Sequence, residues 1–546
     1  MRSGPPAPHA GPPWAELARS LGLLAAVGAS LAVAARLIAG GQGASFFARN
    51  VAAAPERQGL LVALAAGAAV AAGVGLVLLR AGGVEALRRT AAVASPLVVV
   101  SLLPTLFSNQ AWHDQPLPYL VALGAAVVTF EACMRHAQAA VPPELTLRLE
   151  RAAAGPAARR LARFGPPALV LAAAAGYALF AGYYSILTHR RLGTAAYDLG
   201  IYDNLMYNAL HGQFFRSPVL FGPDGGNYIA GHAEFGMLLF LPLYAIAPRS
   251  ETLLGLQAAL LGFAAVPLYL FARTQIPRWS AAVVACVYLL YAPLHGPNFY
   301  DFHWLPLAIF FLFWFFYAVA EGRFWLGAAA AVVLYLIRED VGVGLAVFGA
   351  FLLLTGARPR AGALLAVVSA AWFVVDKFVI MPRAGTWWFA DLYKGLMGEG
   401  ERGYGSVIRT VLTNPAYLVV TLCKEAKLTY ALHLLAPLAF LPLRRAALLG
   451  LALPGFFFTL MTTEYAPTVS ISFQYTTHWI PYLMLAVVLA LRALTADGGR
   501  RRRRAALAAA LFGTVSHSYI FGALLQHENF VGGFQRIVFR STEAER

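Results

Sequence analysis

The sequence predicts an all-α, polytopic transmembrane helical bundle, and three observations carry that prediction. Hydrophobic residues make up 59% of the 546-residue chain and charged residues only 12%, against about 25% charged in soluble domains. Mean hydropathy is +0.64. Apolar runs of about 17–25 residues recur almost end to end, each long enough to cross a hydrocarbon core of roughly 30 Å.

Taken in order, Met1 to Pro13 is rich in Pro and Gly and lacks a small-residue cleavage site. It reads as a disordered cytoplasmic tail before an uncleaved first helix. Spanning helices are then expected near 20–40, 59–80, 91–107, 117–137 and 166–187. After a polar loop come 252–272, 279–296, 304–320, 324–337, 341–356 and 361–381, and after a second loop 427–443, 446–463, 477–494 and 505–525. The expected total is about fifteen spans. Three parts follow: residues 1–165 as tail and four additional helices, 166–495 as the membrane core, and 496–546 as a basic cytoplasmic loop, last helix and short external tail.

The net charge of +16 does not indicate a nucleic-acid partner, because the basic residues fall in short clusters between apolar runs. Arg88–Arg89, Arg159–Arg160, Arg358 with Arg360, Arg444–Arg445 and Arg500 to Arg504 follow the pattern of cytoplasmic loops. The segment Phe235 to Ala247, short and broken by Pro242, suits an interfacial or re-entrant helix rather than a span. With that segment non-spanning and the N-terminus inside, every Arg cluster falls on the cytoplasmic side. The unusual polar residues then gather on the extracytoplasmic side. Cys133, Cys286 and Cys423 lie in or beside apolar runs without metal spacing and read as small packing residues.

Five groups of polar residues are candidates for chemistry. Tyr197 to Asn204 contains Asp198, Tyr202 and Asp203 just before an amphipathic stretch. Asp198 and Asp203, five apart, would not share a helix face, and one of them also suits a helix N-cap. His232 and Glu234 stand at the mouth of the short helix, and Asp301 and His303 in a polar turn between two apolar spans. Arg338, Glu339 and Asp340 are three successive charges between short apolar runs. Charge that close to lipid is paired or functional, so the triad is either an ion pair holding a hairpin or the wall of a cavity. Gln474, Tyr475 and His478 begin the penultimate helix, where a tyrosine also suits an interfacial aromatic belt. Phosphate-binding loops, dinucleotide fingerprints and zinc-protease motifs are absent from the sequence.

Five stretches, YDLGIYDNLMYNALHG (197–212), the His232 element, LLGLQAALLGFAAVPLYLFAR (253–273), NFYDFHW (298–304) and IREDVGVGL (337–345), resemble in this order the DUF2079 family of bacterial membrane proteins. That family usually carries Lys where Arg338 stands. A more distant resemblance is to GT-C glycosyltransferases, such as the lipid A aminoarabinose and protein O-mannosyl transferases. Asp198 with Tyr202 resembles their Asp-Glu-x-x-Tyr element, although Leu199 replaces the Glu, and Asp301 resembles their second acid. The additional N-terminal helices and the lack of a recognisable external C-terminal domain depart from that pattern.

The resemblance implies an inner-membrane enzyme that transfers a sugar from a polyprenyl-phosphate-linked donor to an envelope acceptor. Asp198 and Asp301 would be the catalytic acids. Tyr202, Asp203, His232, Glu234, His303, Arg338, Glu339, Asp340, Gln474, Tyr475 and His478 would bind substrate and membrane lipid. The superfamily also admits a divalent metal held by acidic residues, and the spacing here assigns it no ligands. The expected alternatives are a transporter or flippase of a lipid-linked or small polar substrate, and a non-catalytic envelope protein.

Overall fold

The computed structural model describes residues 13–40, 54–108, 115–142, 154–222, 226–385 and 389–525, together with Trp112, Glu144, Leu145, Arg148 and Arg151. The expected tail before Pro13 and the expected external tail after residue 525 lie outside the described residues. The described secondary structure is helical, and its β contact is one isolated bridge between Arg216 and Asn227.

The chain divides into two compact units, Met1–Arg159 with Gly498–Ala509, and Arg160–Asp497 with Ala510–Arg546. In the first unit, α1 (Pro13–Ala39) packs along α2 (Ala54–Ala94), followed by α3 (Pro116–Ala140). Small residues set that first packing. A Cβ on Gly28 would lie 2.2 Å from the Gly67 carbonyl oxygen, and one on Gly67 would lie 2.3 Å from that of Gly28. Only glycine lets two backbones approach so closely, the usual device where lipid supplies no hydrophobic drive between helices. Ser30 adds a hydrogen bond to the Val98 carbonyl at 2.8 Å.

The second unit runs from α4 (Pro156–Arg190) through α5 (Ile201–Leu210) and α6 (Met237–Ile246) to α7 (Ser250–Phe263) and α8 (Ala265–Gln275). There follow α9 (Arg278–Leu290), α10 (Ala292–Phe299), α11 (Trp304–Glu321), α12 (Phe324–Ile337), α13 (Val341–Leu354) and α14 (Pro359–Val375). The last elements are α15 (Tyr404–Thr413), α16 (Glu425–Leu435) and α17 (Ile480–Phe521).

Among the described residues, eight helices are long and apolar enough to cross a bilayer, or nine if the bent pair α9–α10 counts as one span. About fifteen were expected, and three local features set the two figures apart. The runs 59–80 and 91–107 fall within one continuous segment, Pro55–Leu106, that bends at Gly83, whose φ is 71°. The runs 324–337 and 341–356 become helices of 14 residues each, about 21 Å at 1.5 Å per residue and short of the hydrocarbon thickness. The run 446–463 breaks into single turns around Pro454. The segment 235–247 forms the ten-residue α6.

Candidate functional site

Three local devices bring distant residues together. The first is the turn between α10 and α11. Gln257, buried on α7, donates from its amide nitrogen to the carbonyls of Pro297, Asn298 and Asp301 at 3.2, 3.2 and 2.7 Å. Its amide oxygen accepts the His303 backbone N–H at 3.0 Å. Turn carbonyls inside lipid need such partners, and one glutamine supplies four bonds. Asp301 sits in the left-handed region at φ 50°, which aspartate tolerates better than most residues. Its carboxylate accepts the Ala195 N–H at 2.8 Å. Burial pushes that carboxyl above its ordinary range.

The second device is a wide helical turn, Ala196–Gly200, leading into α5. It carries Asp198, whose side chain caps no helix. Its two oxygens instead meet His303 Nε2 and the Tyr300 hydroxyl, both at 3.2 Å. Burial works against the charged form, but the hydrogen bond and charge of His303, with Tyr300, hold the Asp198 carboxyl below its usual range. His303 Nδ1 has no hydrogen-bond partner among the described residues, so the ring's polar contact is the one its Nε2 makes with Asp198.

The third device is a close backbone contact. Gly236 donates its N–H to the Leu336 carbonyl, and a Cβ there would lie 2.9 Å from that oxygen. Glycine at 236 therefore lets the start of α6 meet the end of α12, setting His232 and Glu234 beside the charged triad. His232 Nδ1 lies 3.0 Å from Glu339 Oε1, and the Ala233 N–H donates to Glu339 Oε2 at 3.1 Å. Desolvation keeps His232 below its ordinary pKa despite the Glu339 charge. Arg338 Nε contacts both Asp340 oxygens at 3.0 and 2.9 Å, and its Nη2 also donates to Oδ2. Burial alone would push Asp340 up, but the Arg338 guanidinium holds it far below the usual carboxylate range. His478 Nε2 lies 3.4 Å from Asp340 Oδ2, without hydrogen-bond geometry.

These devices frame one cavity of about 870 Å³. Of the residues expected from the sequence, Asp198, Tyr202, His232, His303, Arg338, Glu339, Asp340, Gln474, Tyr475 and His478 line it. Asp203, Glu234 and Asp301 do not. The Asp203 carboxylate accepts the Tyr244 hydroxyl at 2.6 Å and ties α5 to α6. Glu234 is 1% exposed and accepts from Tyr228, whose hydroxyl also reaches that of Tyr202 at 3.1 Å. Burial raises its carboxyl to about 8, so it carries its proton at neutral pH.

Among the lining residues not expected as site residues, three bear on the chemistry. Tyr300 lies within the quoted NFYDFHW stretch but acts through its own hydroxyl. Tyr465 comes from the loop after residue 460. Lys377 projects from the span that contains α14, its Nζ 3.8 Å from Glu339 Oε1 and 4.0 Å from the centre of the Phe389 ring. Its signal was available: a lysine inside an otherwise apolar run. Phe373, Phe457, Phe458 and Met461 supply an apolar wall. No group of three or more His, Cys, Asp or Glu side chains among the described residues is arranged to hold a metal ion. The acids here are engaged with His, Tyr, Arg and backbone donors, so the donor set does not fit a divalent metal.

Helices of spanning length together with a charged, part-aromatic cavity define a polytopic membrane protein with a polar site. Residues 188–526, more than half of the chain, match the family described as "Predicted membrane protein (DUF2079)", and the chain belongs to that family. No curated protein and no solved structure matches it.

Proposed function

We propose that this protein is a GT-C-type glycosyltransferase of the bacterial cytoplasmic membrane. It would move a sugar from a polyprenyl-phosphate-linked donor to an envelope acceptor on the extracytoplasmic side. The observation that carries the reading is one shared cavity with a hydrogen-bonded carboxylate, Asp198, and the cations Arg338 and Lys377. A transfer of this kind needs a base for the acceptor hydroxyl and positive charge for the departing phosphate.

In the reaction, the acceptor oxygen attacks the anomeric carbon while Asp198 takes its proton. The bond from that carbon to the phosphate oxygen breaks, and its electron pair leaves with the lipid phosphate. His303 and Tyr300 aim Asp198 and keep it ionised. Arg338 is already engaged by Asp340, whereas the 3.8 Å contact of Lys377 with Glu339 is loose enough to exchange for phosphate. The flexible lysine stem suits that exchange. The aromatic wall accommodates the isoprenoid end of the donor. Asp301 acts through the Ala195 amide, as a positioning residue. In this reading residues 1–165 are a membrane module additional to the catalytic core.

The test compares envelope glycans and lipid-linked sugars by mass spectrometry, with and without the gene. Loss of one glycan with accumulation of its lipid-linked sugar is expected. Unchanged glycans and lipid-linked sugars would overturn the reading in favour of transport or a non-catalytic role.

A further inference from the structure

The span Pro359–Ala384 carries a second ionisable residue directly before Lys377. Asp376 opens a wide helical turn, Asp376–Ile380, a local irregularity that recurs at functional sites. Its side chain is fully buried, and neither carboxylate oxygen has a hydrogen-bond partner among the described residues. A carboxylate in such a place would be desolvated without compensation, whereas the protonated acid is neutral. Ionisable residues within spans mark proton or ion sites by default.

The surroundings connect this carboxyl to the cavity. Glu339 is the acid whose charge reaches it, and Glu339 is also the acid that Lys377 contacts. Arg338 and Asp340, next along the same turn, hold each other. On α12 the Tyr335 hydroxyl is engaged with Ser369 at 2.7 Å. Across the cavity Tyr404 faces the Glu339 side. Glu339 therefore links the Asp376 carboxyl to Lys377.

We propose that Asp376 is a membrane-embedded proton-binding site coupled through Lys377 and Glu339 to anion binding in the cavity. With the proton on, Lys377 exchanges Glu339 for a phosphate. With the proton lost to solvent, the added negative charge beside Glu339 disfavours a further anion and the phosphate is released. Linkage makes the effect reciprocal, so anion binding draws a proton onto Asp376. The coupling, though not the proton site, rests on the reading of Lys377 as a phosphate-binding cation.

The experiment uses the full chain in phosphatidylcholine bilayers. Infrared spectra at neutral pH, with carboxyl-¹³C aspartate, should show the carbonyl stretch of a protonated aspartic acid that Asp376→Asn removes. Its absence from the labelled wild type overturns the proton site even if the variant fails to fold, as does a band that survives in a folded variant. Calorimetry with farnesyl phosphate as probe then reads the coupling. Wild-type affinity should fall with pH by up to tenfold per unit more steeply than that of Asp376→Asn, the slope of one linked proton. Equal slopes overturn the coupling. Failure of farnesyl phosphate to bind the wild type overturns the coupling together with the glycosyltransferase reading, and leaves the infrared result to decide the proton site.

Discussion

Asp198 and Asp340 line the same cavity yet are held in opposite ways. Asp198 meets a tyrosine hydroxyl and an imidazole nitrogen, each through one oxygen, and its side chain is 26% exposed. Asp340 meets a guanidinium through three contacts and is 8% exposed. Single contacts orient a carboxylate and leave it lone pairs open to the cavity. The guanidinium neutralises Asp340 and closes it off. Under the proposed function, the difference separates a carboxylate placed to react from one placed to hold a cation.

The largest effect expected from breaking this contrast is at the reactive carboxylate. Asp198→Asn keeps the size and hydrogen-bonding capacity of the side chain but removes the base, a loss of about 10²–10⁴-fold in rate. Restoration of the missing glycan in a deletion strain, at matched protein level, reads it, and full restoration removes Asp198 from the chemistry. The held carboxylate should fail differently. Arg338→Ala strands a buried Asp340 and should destabilise the protein by about 3–5 kcal/mol, measured by unfolding in detergent. A variant with unchanged stability would show that the pair is not buried as described.

A smaller effect sharpens the comparison through pH. Burial raises the Glu234 carboxyl to about 8 in the folded protein, from an ordinary value of 4.5. Between those two values the folded state holds a proton that the unfolded state has released. Stability therefore falls as pH rises from about 4.5 to about 8 and levels off above it. Glu234→Gln should remove that part of the slope in thermal unfolding across the same window, and an unchanged slope would place the titration elsewhere. The smallest effect belongs to Asp203→Asn. Its carboxylate ties α5 to α6 through Tyr244, so about 0.5–1.5 kcal/mol of stability is at stake, with the glycan product kept.

The contrast also explains what could be read in the amino-acid sequence. Asp198, His232, His303 and the Arg338–Asp340 triad stood out because polar residues beside apolar runs are costly to keep, and ten of the expected residues do line the cavity. Lys377 was passed over because two adjacent opposite charges, Asp376 and Lys377, near the end of a 21-residue apolar run did not disturb the span assigned to 361–381. The same reasoning applied at Arg338 would have found it. Asp301 was grouped with the catalytic acids and Asp203 with the substrate-binding residues because sequence shows that a carboxylate is present, not which way it points. The Ala195 amide and the Tyr244 hydroxyl that claim them are 106 and 41 positions away. The helical character was legible from hydropathy, while the span count was not. Gly83 bends one long segment and the triad ends two helices early, features of backbone geometry rather than of apolar length.

The bare Nδ1 of His303 has a consequence for turnover. In a serine-protease triad a carboxylate holds the Nδ1–H of the imidazole while Nε2 exchanges the proton. Among the described residues the Nδ1 of His303 has no hydrogen-bond partner, and its Nε2 already faces Asp198. In the proposed mechanism a proton captured by Asp198 would then leave through the cavity itself. Resetting the base would thereby be tied to emptying the cavity, with product departure and proton release closing each cycle together.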